Sequence, residues 1–192
     1  MNEKDFLQRL NAGDEFAYKS LVILFQKKIY NTCLGILQNV EDAEDITQEI
    51  FIEIFQSVKY FKGESKLSTW IYRISITKSL AHLRKKKTKK RFAIIKSLFG
   101  DNDVTAIYEV SNFIHPGIQL ENKERASILF AAINNLPENQ KSAFVLHKLE
   151  ELSYEEIASV MEVTVSSVES LLFRAKKNLR KLLEDYYEKN ER

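Results

Sequence analysis

The sequence predicts an all-α protein in which two small helical domains are joined by a linker, and three observations lead to that class. Only 5 of the 192 residues are Gly and 2 are Pro, whereas the chain is rich in Leu, Ile, Glu and Lys, which favour helices. Apolar residues recur at helical spacing through residues 3–90 and again from about residue 120. Turn-forming clusters at 100–103 and 115–117 separate these stretches. We therefore expect an amino-terminal helical bundle at 1–91, a linker at 92–119 and a carboxy-terminal helix-turn-helix domain at 120–192.

The amino-terminal bundle should contain four helices. Apolar residues at 6, 7 and 10 indicate a short first helix that ends at Gly13, and Asp14 suits the N-cap of the second. A third helix should cover about 41–58, because its acidic first turn complements the helix dipole. A loop at 60–66 should lead to a long fourth helix that starts near Ser68 and enters the lysine-rich segment KKKTKKR.

The carboxy-terminal domain carries the pattern of a helix-turn-helix. Two helices are expected at about 120–135 and 138–149, and Ser153 with Glu156 then forms a capping box. A break at 162–164 precedes a longer final helix, which such a motif places in the major groove of duplex DNA. Buried positions should include Ala158 and Val163. The residues expected to face the DNA are Thr164, Ser166, Ser167, Glu169, Ser170, Phe173, Arg174 and Lys177.

Composition argues against several classes of protein. No apolar run approaches the roughly 20 residues that span a bilayer, so direct membrane insertion is not expected. The first residues lack the apolar segment of a signal peptide, and a single cysteine, Cys33, suits a buried position in a cytoplasmic protein. There is no Gly-rich nucleotide loop, and the 3 His residues are scattered. We expect no enzymatic activity, no cofactor and no metal.

The third helix should carry an acidic docking face, which consists of Asp42, Asp45, Gln48, Glu49 and Ile52. An exposed Ile among carboxylates is more useful in a protein contact than in solvent, and the charge suits a basic partner. An ordinary solvated acidic surface is the alternative.

An aromatic–basic set follows the third helix, and beyond it the segment 85–91 adds six basic residues and no acidic one. Aromatic faces stack with unpaired bases while cations hold the backbone, and loop hydroxyls can read a flipped base. Phe61 and Trp70 could instead belong to the hydrophobic core. The set consists of Phe61, Lys62, Ser65, Lys66, Ser68, Thr69, Trp70, Tyr72, Arg73, Lys78 and Arg84.

Four segments in order resemble the sigma-70 family of bacterial transcription initiation factors, in its small extracytoplasmic-function (ECF) branch. They are DAEDITQEIFIEIF, FKGESKLSTWIYRISI, LPENQKSAFVLHKLEELSYEEIA and VESLLFRAKKNLRKLL. The resemblance covers nearly the whole chain except about 92–118. It implies a factor that binds core RNA polymerase, directs it to specific promoters and assists strand opening.

The resemblance also implies roles for the three surfaces. The acidic docking face would bind the clamp of the largest polymerase subunit. The aromatic–basic set would capture a flipped base and hold single-stranded DNA at the downstream promoter element. The final helix would read the upstream element in duplex DNA, while its domain rests on the flap of the second-largest subunit. A membrane-anchored anti-sigma protein is a common partner in this family.

The chain departs from the family pattern at a few positions that bear on base reading. Thr77 stands where Asn is usual, Ala81 stands where an acidic residue is usual, and Glu169 and Leu171 replace basic residues. Glu162 occupies a turn position often held by Gly. These changes affect which promoter bases are read, and they leave the fold expectation unchanged.

Two other classes compete with an initiation factor. A stand-alone helix-turn-helix regulator would bind a palindromic duplex tightly without polymerase. A purely helical adaptor would show no salt-dependent affinity for DNA. The aromatic segment at 60–72 argues against the first, and the Arg and Lys residues of the final helix argue against the second.

Overall fold

A computed structural model describes residues 3–99 and 123–190, with side chains at 3–89 and 127–184. These residues form eight α-helices and one 3-10 turn, and no strand occurs within the described ranges. This content of helices confirms the predicted all-α class. Among the described helices, none combines the length and apolar character needed to cross a membrane. The helices are α1 (Glu3–Asn11), α2 (Glu15–Leu37), α3 (Val40–Ser57), α4 (Leu67–Phe99), α5 (Lys123–Asn134), α6 (Glu138–Lys148), α7 (Tyr154–Met161) and α8 (Val165–Asn190).

Local capping explains where several helices begin. The Asp14 carboxylate accepts hydrogen bonds from the backbone N–H groups of Phe16 and Ala17 at the start of α2, at 2.8 and 3.2 Å. The predicted capping box is also present, since Ser153 Oγ accepts from the Glu156 N–H and Glu156 accepts from the Ser153 N–H. Each contact satisfies an N–H that lacks a partner within its helix.

Helix α4 extends beyond the predicted end of the amino-terminal domain at residue 91. Its backbone continues through Phe99, so the predicted linker at 92–119 begins inside a helix. The sequence has no Gly or Pro between Leu67 and Phe99, and Lys and Arg are good helix formers, so nothing ends the helix before Gly100. Residues 100–122 lie outside the described part of the chain, and the predicted domain bounds stay a prediction.

Most predicted core positions are buried, with a few exceptions. Cys33, Ile50, Ile157 and Leu172 are almost fully enclosed. The expectation that Val163 belongs to the core of the helix-turn-helix was wrong, because it follows Glu162 in the turn and is 37% exposed. Three other apolar residues of α2 and α3 face outward despite their helical spacing, namely Phe16, Leu24 and Phe55, whereas Ile52 is exposed as expected.

The two halves of the chain pack directly against each other. Helix α2 contacts α6, and α4 contacts α7. One buried cluster joins Ile36 and Tyr72 of the amino-terminal half to Val145, Leu146 and Ile157 of the carboxy-terminal half. This interdomain contact decides which predicted site residues are accessible.

Candidate polymerase and nucleic-acid interfaces

The recognition surface predicted on α8 is formed as expected from helical geometry. Thr164 caps the helix through its Oγ1, which accepts from the Ser167 N–H at 3.2 Å. The buried residues Val168, Leu172 and Ala175 hold the opposite face of α8 in the domain core. The outward positions follow a stripe along the helix, all of them exposed except the half-buried Ser167: Thr164, Ser166, Ser167, Glu169, Ser170, Phe173, Arg174 and Lys177.

Phe173 is the most distinctive member of this stripe, because 70% of its surface is exposed. A large apolar ring at that exposure next to Arg174 suits contact with a thymine methyl group in a major groove. The DNA role of the stripe stays a prediction.

The acidic docking face on α3 is largely solvent-accessible. Asp45, Gln48 and Glu49 are exposed, and 54% of the Ile52 surface is exposed beside them. The stripe that includes Ile46, Ile50 and Ile54 faces the core on the other side of the helix. Four of the five predicted residues therefore form one continuous outer surface.

Asp42 differs from the rest of that face because it is paired inside the amino-terminal domain. Its carboxylate accepts a short hydrogen bond from Lys86 Nζ, and His82 Nε2 lies 3.1 Å away. Burial acts to raise the pKa of Asp42, but the Lys86 and His82 contacts outweigh it and hold the pKa below its usual value. Asp42 thus ties α3 to α4 and is only partly available to a partner.

Two of the three aromatic residues of the set, Phe61 and Trp70, contact each other. The rings of Phe61 and Trp70 lie 5.2 Å apart between centroids and are tilted by 39°. Both are half-buried against the core, so each contributes to packing and still presents part of its ring to solvent. Phe61 and Trp70 therefore fit each of the two interpretations, as core residues or as residues that stack with a base, only in part.

Other members of the set divide by accessibility. Lys62 is exposed and Ser65 and Ser68 are half-buried near the loop, whereas Thr69 is only 6% exposed. Lys78 is paired with acidic residues of α3, at 2.8 Å from Glu53 Oε2 and 3.8 Å from Glu49 Oε2.

The carboxy-terminal domain contacts four further members. Tyr72, only 3% exposed, donates its hydroxyl to Glu150 Oε2 at 2.8 Å. Arg84 donates through Nη2 and Nε to Glu138 Oε2 at 2.7 and 3.0 Å, and this contact lowers the pKa of Glu138. Lys66 Nζ lies 3.6 Å from Glu156 Oε1.

Arg73 is the fourth member, and its guanidinium group contacts the carboxy-terminal end of α7. Its Nη2 donates to the Ser159 carbonyl at 2.7 Å, its Nε lies 3.4 Å from the Val160 carbonyl, and its Nη1 pairs with Glu162 Oε1 at 2.8 Å. The last carbonyls of a helix lack partners within it and carry partial negative charge, so a guanidinium is well placed there.

Sequence reasoning missed the residues of the carboxy-terminal half that make these contacts. Glu138, Glu150 and Glu162 gave no sign of their partners, because the pairing joins positions more than fifty residues apart. Gly35 was a usable signal, since a glycine inside an apolar helix indicates close approach of another element. A Cβ at Gly35 would lie 2.7 Å from Leu149 Cδ1 and 3.0 Å from Val145 Cγ1.

The fold and the α7–turn–α8 geometry define a helix-turn-helix protein of the DNA-binding class, with a second helical domain. Family models agree in both halves, with sigma-70 region 2 matching residues 21–89 and sigma-70 region 4 matching residues 126–179. The RNA polymerase sigma-H factor of Pseudomonas aeruginosa is 32% identical, over 95% of this chain and 94% of the relative. The ECF sigma factor SigW of Bacillus subtilis is 30% identical, over 95% and 97%.

Solved structures support the same fold. The chain resembles CnrH, in the structure of its complex with the cytosolic domain of CnrY, with a TM-score of 0.69 and 16% identity over 95% of this chain and 97% of that one. It also resembles the sigma factor RpoE of Bartonella quintana, in complex with the anti-sigma factor NepR, with a TM-score of 0.64 and 20% identity over 87% and 96%. The chain belongs to the sigma-70 family, in its ECF branch, and is a promoter-directing transcription initiation factor.

Proposed function

We propose that this chain binds core RNA polymerase in the cytoplasm through the acidic docking face, without an enzymatic activity of its own. The observation that carries the proposal is the exposure of Ile52 among Asp45, Gln48 and Glu49 on the outer side of α3. An apolar side chain ringed by carboxylates offers both burial and charge complementarity to a basic partner surface. The clamp of the largest subunit is the partner we expect here, and the flap of the second-largest subunit is the one we expect for the carboxy-terminal domain.

The stripe on α8 would read the upstream promoter element as duplex DNA. Its exposed hydroxyls and amphipathic side chains suit base edges, while Arg174 and Lys177 suit phosphates. Glu169 would accept a hydrogen bond from a cytosine amino group and would oppose phosphate at the same place.

The aromatic–basic set would hold the non-template strand of the downstream element once the duplex opens. Base capture offsets the cost of unstacking, and each stacked base contributes about 1–3 kcal/mol. Phe61 and Trp70 would be the stacking pair, and Lys62 is an exposed cation of the adjoining loop. Binding energy realised only when bases are unstacked favours the opened state over the closed one, and the part of it already formed in the transition state lowers the barrier to opening.

An anti-sigma protein is the regulatory partner that we expect. CnrH was solved with CnrY and the Bartonella quintana RpoE with NepR, and both share this fold. Such a protein, whether free or membrane-anchored, would compete with polymerase for the same chain.

Run-off transcription with purified core RNA polymerase and genomic fragments tests the proposal as a whole. We expect start-site-specific transcripts that require both proteins. A chain that binds a palindromic duplex tightly on its own, and gives no transcript with polymerase, would instead be a stand-alone regulator.

The docking face has its own test. Asp45→Arg combined with Glu49→Arg should abolish co-purification with core polymerase, because both charges at the proposed contact are reversed. A matched control combines Asp5→Arg with Glu184→Arg, which changes the same net charge at exposed positions of α1 and α8. Equal retention of polymerase by both double variants would remove α3 from the interface.

A further inference from the structure

A hydrogen bond between two side-chain amides joins α6 to α8, the helix that carries the outward stripe. Asn178 Nδ2 donates to Gln140 Oε1 at 2.8 Å. Gln140 lies in the first turn of α6 and keeps only 9% of its surface exposed, while Asn178 is half-buried one turn after Arg174. The amide pair therefore lies at the border between the buried face of α8 and its stripe.

The neighbouring part of the buried face of α8 is aliphatic. Leu172, Ala175 and Leu179 are almost fully enclosed there, and Leu171 is half-buried. Apolar contacts have no preferred direction, so aliphatic side chains of suitable size allow neighbouring helix orientations with similar burial. Packing of this kind holds α8 in the domain and leaves its exact roll weakly specified.

The amide pair supplies the direction that the aliphatic contacts lack. An N–H···O bond forms over a narrow range of about 2.7–3.2 Å and weakens as its angle closes. A shift of α8 would leave buried amide groups without a partner, which is unfavourable. In coiled coils, a single buried amide residue fixes the register of two helices in the same way, at a cost in stability.

The roll of α8 determines where its outward side chains would meet DNA. Side chains reach about 5–6 Å from a helix axis, so a roll of about 20° moves their ends by about 2 Å. A hydrogen bond to a base edge is lost at that displacement. The long stems of Arg174 and Lys177 can still follow a phosphate, so contacts that read bases are more sensitive to roll than contacts that only bind the backbone.

We propose that Gln140 and Asn178 are positioning residues, whose hydrogen bond fixes the roll of α8 against α6 and thereby sharpens the base specificity of the stripe. This role rests on the proposed reading of duplex DNA by α8. Both residues act through the orientation of the helix, and their mutual bond makes no contact with DNA. Loss of the bond should leave the domain folded and reduce its discrimination between promoter sequences.

The test removes the hydrogen bond and keeps the shape of the pair. Gln140→Met combined with Asn178→Leu, the apolar pair, replaces each amide by an apolar side chain of similar shape, a change that is nearly neutral or stabilising when both partners are replaced together. Gln26→Met combined with Asn139→Leu, the surface control, makes the same substitutions at exposed positions. Urea unfolding of the full-length chains measures the stability of each.

The orientation of α8 is measured first, without DNA. Nitroxide labels are attached through Lys148→Cys on α6 and Arg180→Cys on α8, both exposed positions, while the buried Cys33 takes up little label. Pulsed electron–electron double resonance then gives the distribution of distances between the labels. We expect one narrow distribution for the labelled wild type and the surface control, and a broader or displaced one for the apolar pair.

The second measurement uses holoenzyme assembled from core RNA polymerase and each full-length chain. Run-off transcription is compared between a promoter fragment selected with the wild-type chain and the same fragment with a scrambled upstream element. The ratio of the two transcripts should fall about tenfold for the apolar pair, roughly the effect of losing one base contact. The surface control should keep the wild-type ratio.

A distance distribution for the apolar pair that matches wild type in mean and width would overturn the proposal, and so would an unchanged transcript ratio in a chain whose labels have moved. A fall in the ratio that accompanies an equal loss of stability would assign the amides an ordinary structural role and would overturn it as well. A wild-type ratio near one would reject the reading of DNA by α8 and with it the effect on specificity, while the distances would still decide whether the pair orients the helix.

Discussion

The protonation of Glu150 provides a quantitative test of the contact between the two domains. Its Oε2 accepts from the Tyr72 hydroxyl, and its Oε1 is buried and has no hydrogen-bond partner among the described residues. Burial raises the pKa of Glu150 from 4.5 to about 7, against the opposing effects of Tyr72, Lys28 and Lys27. The ionised carboxylate is therefore disfavoured in the packed structure.

The sign of the pH dependence follows from that shift. Because the folded pKa is raised, the contribution of Glu150 to stability is complete below pH 4.5, falls as pH rises and is lost above about pH 7. The full shift corresponds to at most about 3 kcal/mol. Partial solvent access at the domain boundary reduces this to about 1–2 kcal/mol.

We expect Glu150→Gln to remove this dependence, because an amide keeps an acceptor for Tyr72 and does not ionise. Relative to wild type, the variant should gain about 1–2 kcal/mol in free energy of unfolding at pH 8 and nothing at pH 4.5. Urea unfolding followed by circular dichroism at several pH values measures this difference. Glu151→Gln is the control, since Glu151 is the exposed neighbour. Parallel pH profiles for wild type and Glu150→Gln would refute the reasoning.

Three further outcomes are expected. Trp70→Ala should impair promoter opening more than closed-complex binding, because it removes the partner of Phe61; permanganate footprints identical to wild type would contradict this. Arg174→Ala should weaken duplex binding and reduce the salt slope by about 1; an unaltered slope would exclude a phosphate contact. Lys141→Met should stabilise the fold by about 1–2 kcal/mol, measured by urea unfolding, because burial first, and then the charge of Lys87, lowers the Lys141 pKa to about 8. That gain should shrink as pH rises from 7 to 9, and a gain independent of pH would contradict it.

The sequence predicted well whatever depends on neighbours along the chain. The N-cap at Asp14, the capping box at Ser153 and the outward stripe of α8 each depend on residues within a few turns of one helix. Local hydrogen bonding and a period of 3.6 residues are enough to specify such features.

The accessibility of the candidate site could not be predicted in the same way. Tyr72 was predicted to contact nucleic acid, yet the second domain buries it. Phe55 has the spacing of a core residue, and 40% of its surface is exposed. Packing between distant helices, which covers Tyr72 and leaves part of Phe55 open, decides both outcomes, and periodicity within one helix carries no information about that packing.

The continuity of α4 has a mechanical consequence for the whole factor. A helix of 33 residues measures about 50 Å, and here it starts beside the loop that carries Phe61 and ends at Phe99, where the chain leaves for the second domain. The position of the end of α4 is therefore fixed relative to that loop. Each residue inserted between Lys85 and Phe99 would rotate the end of α4 by about 100° and advance it by about 1.5 Å relative to that loop.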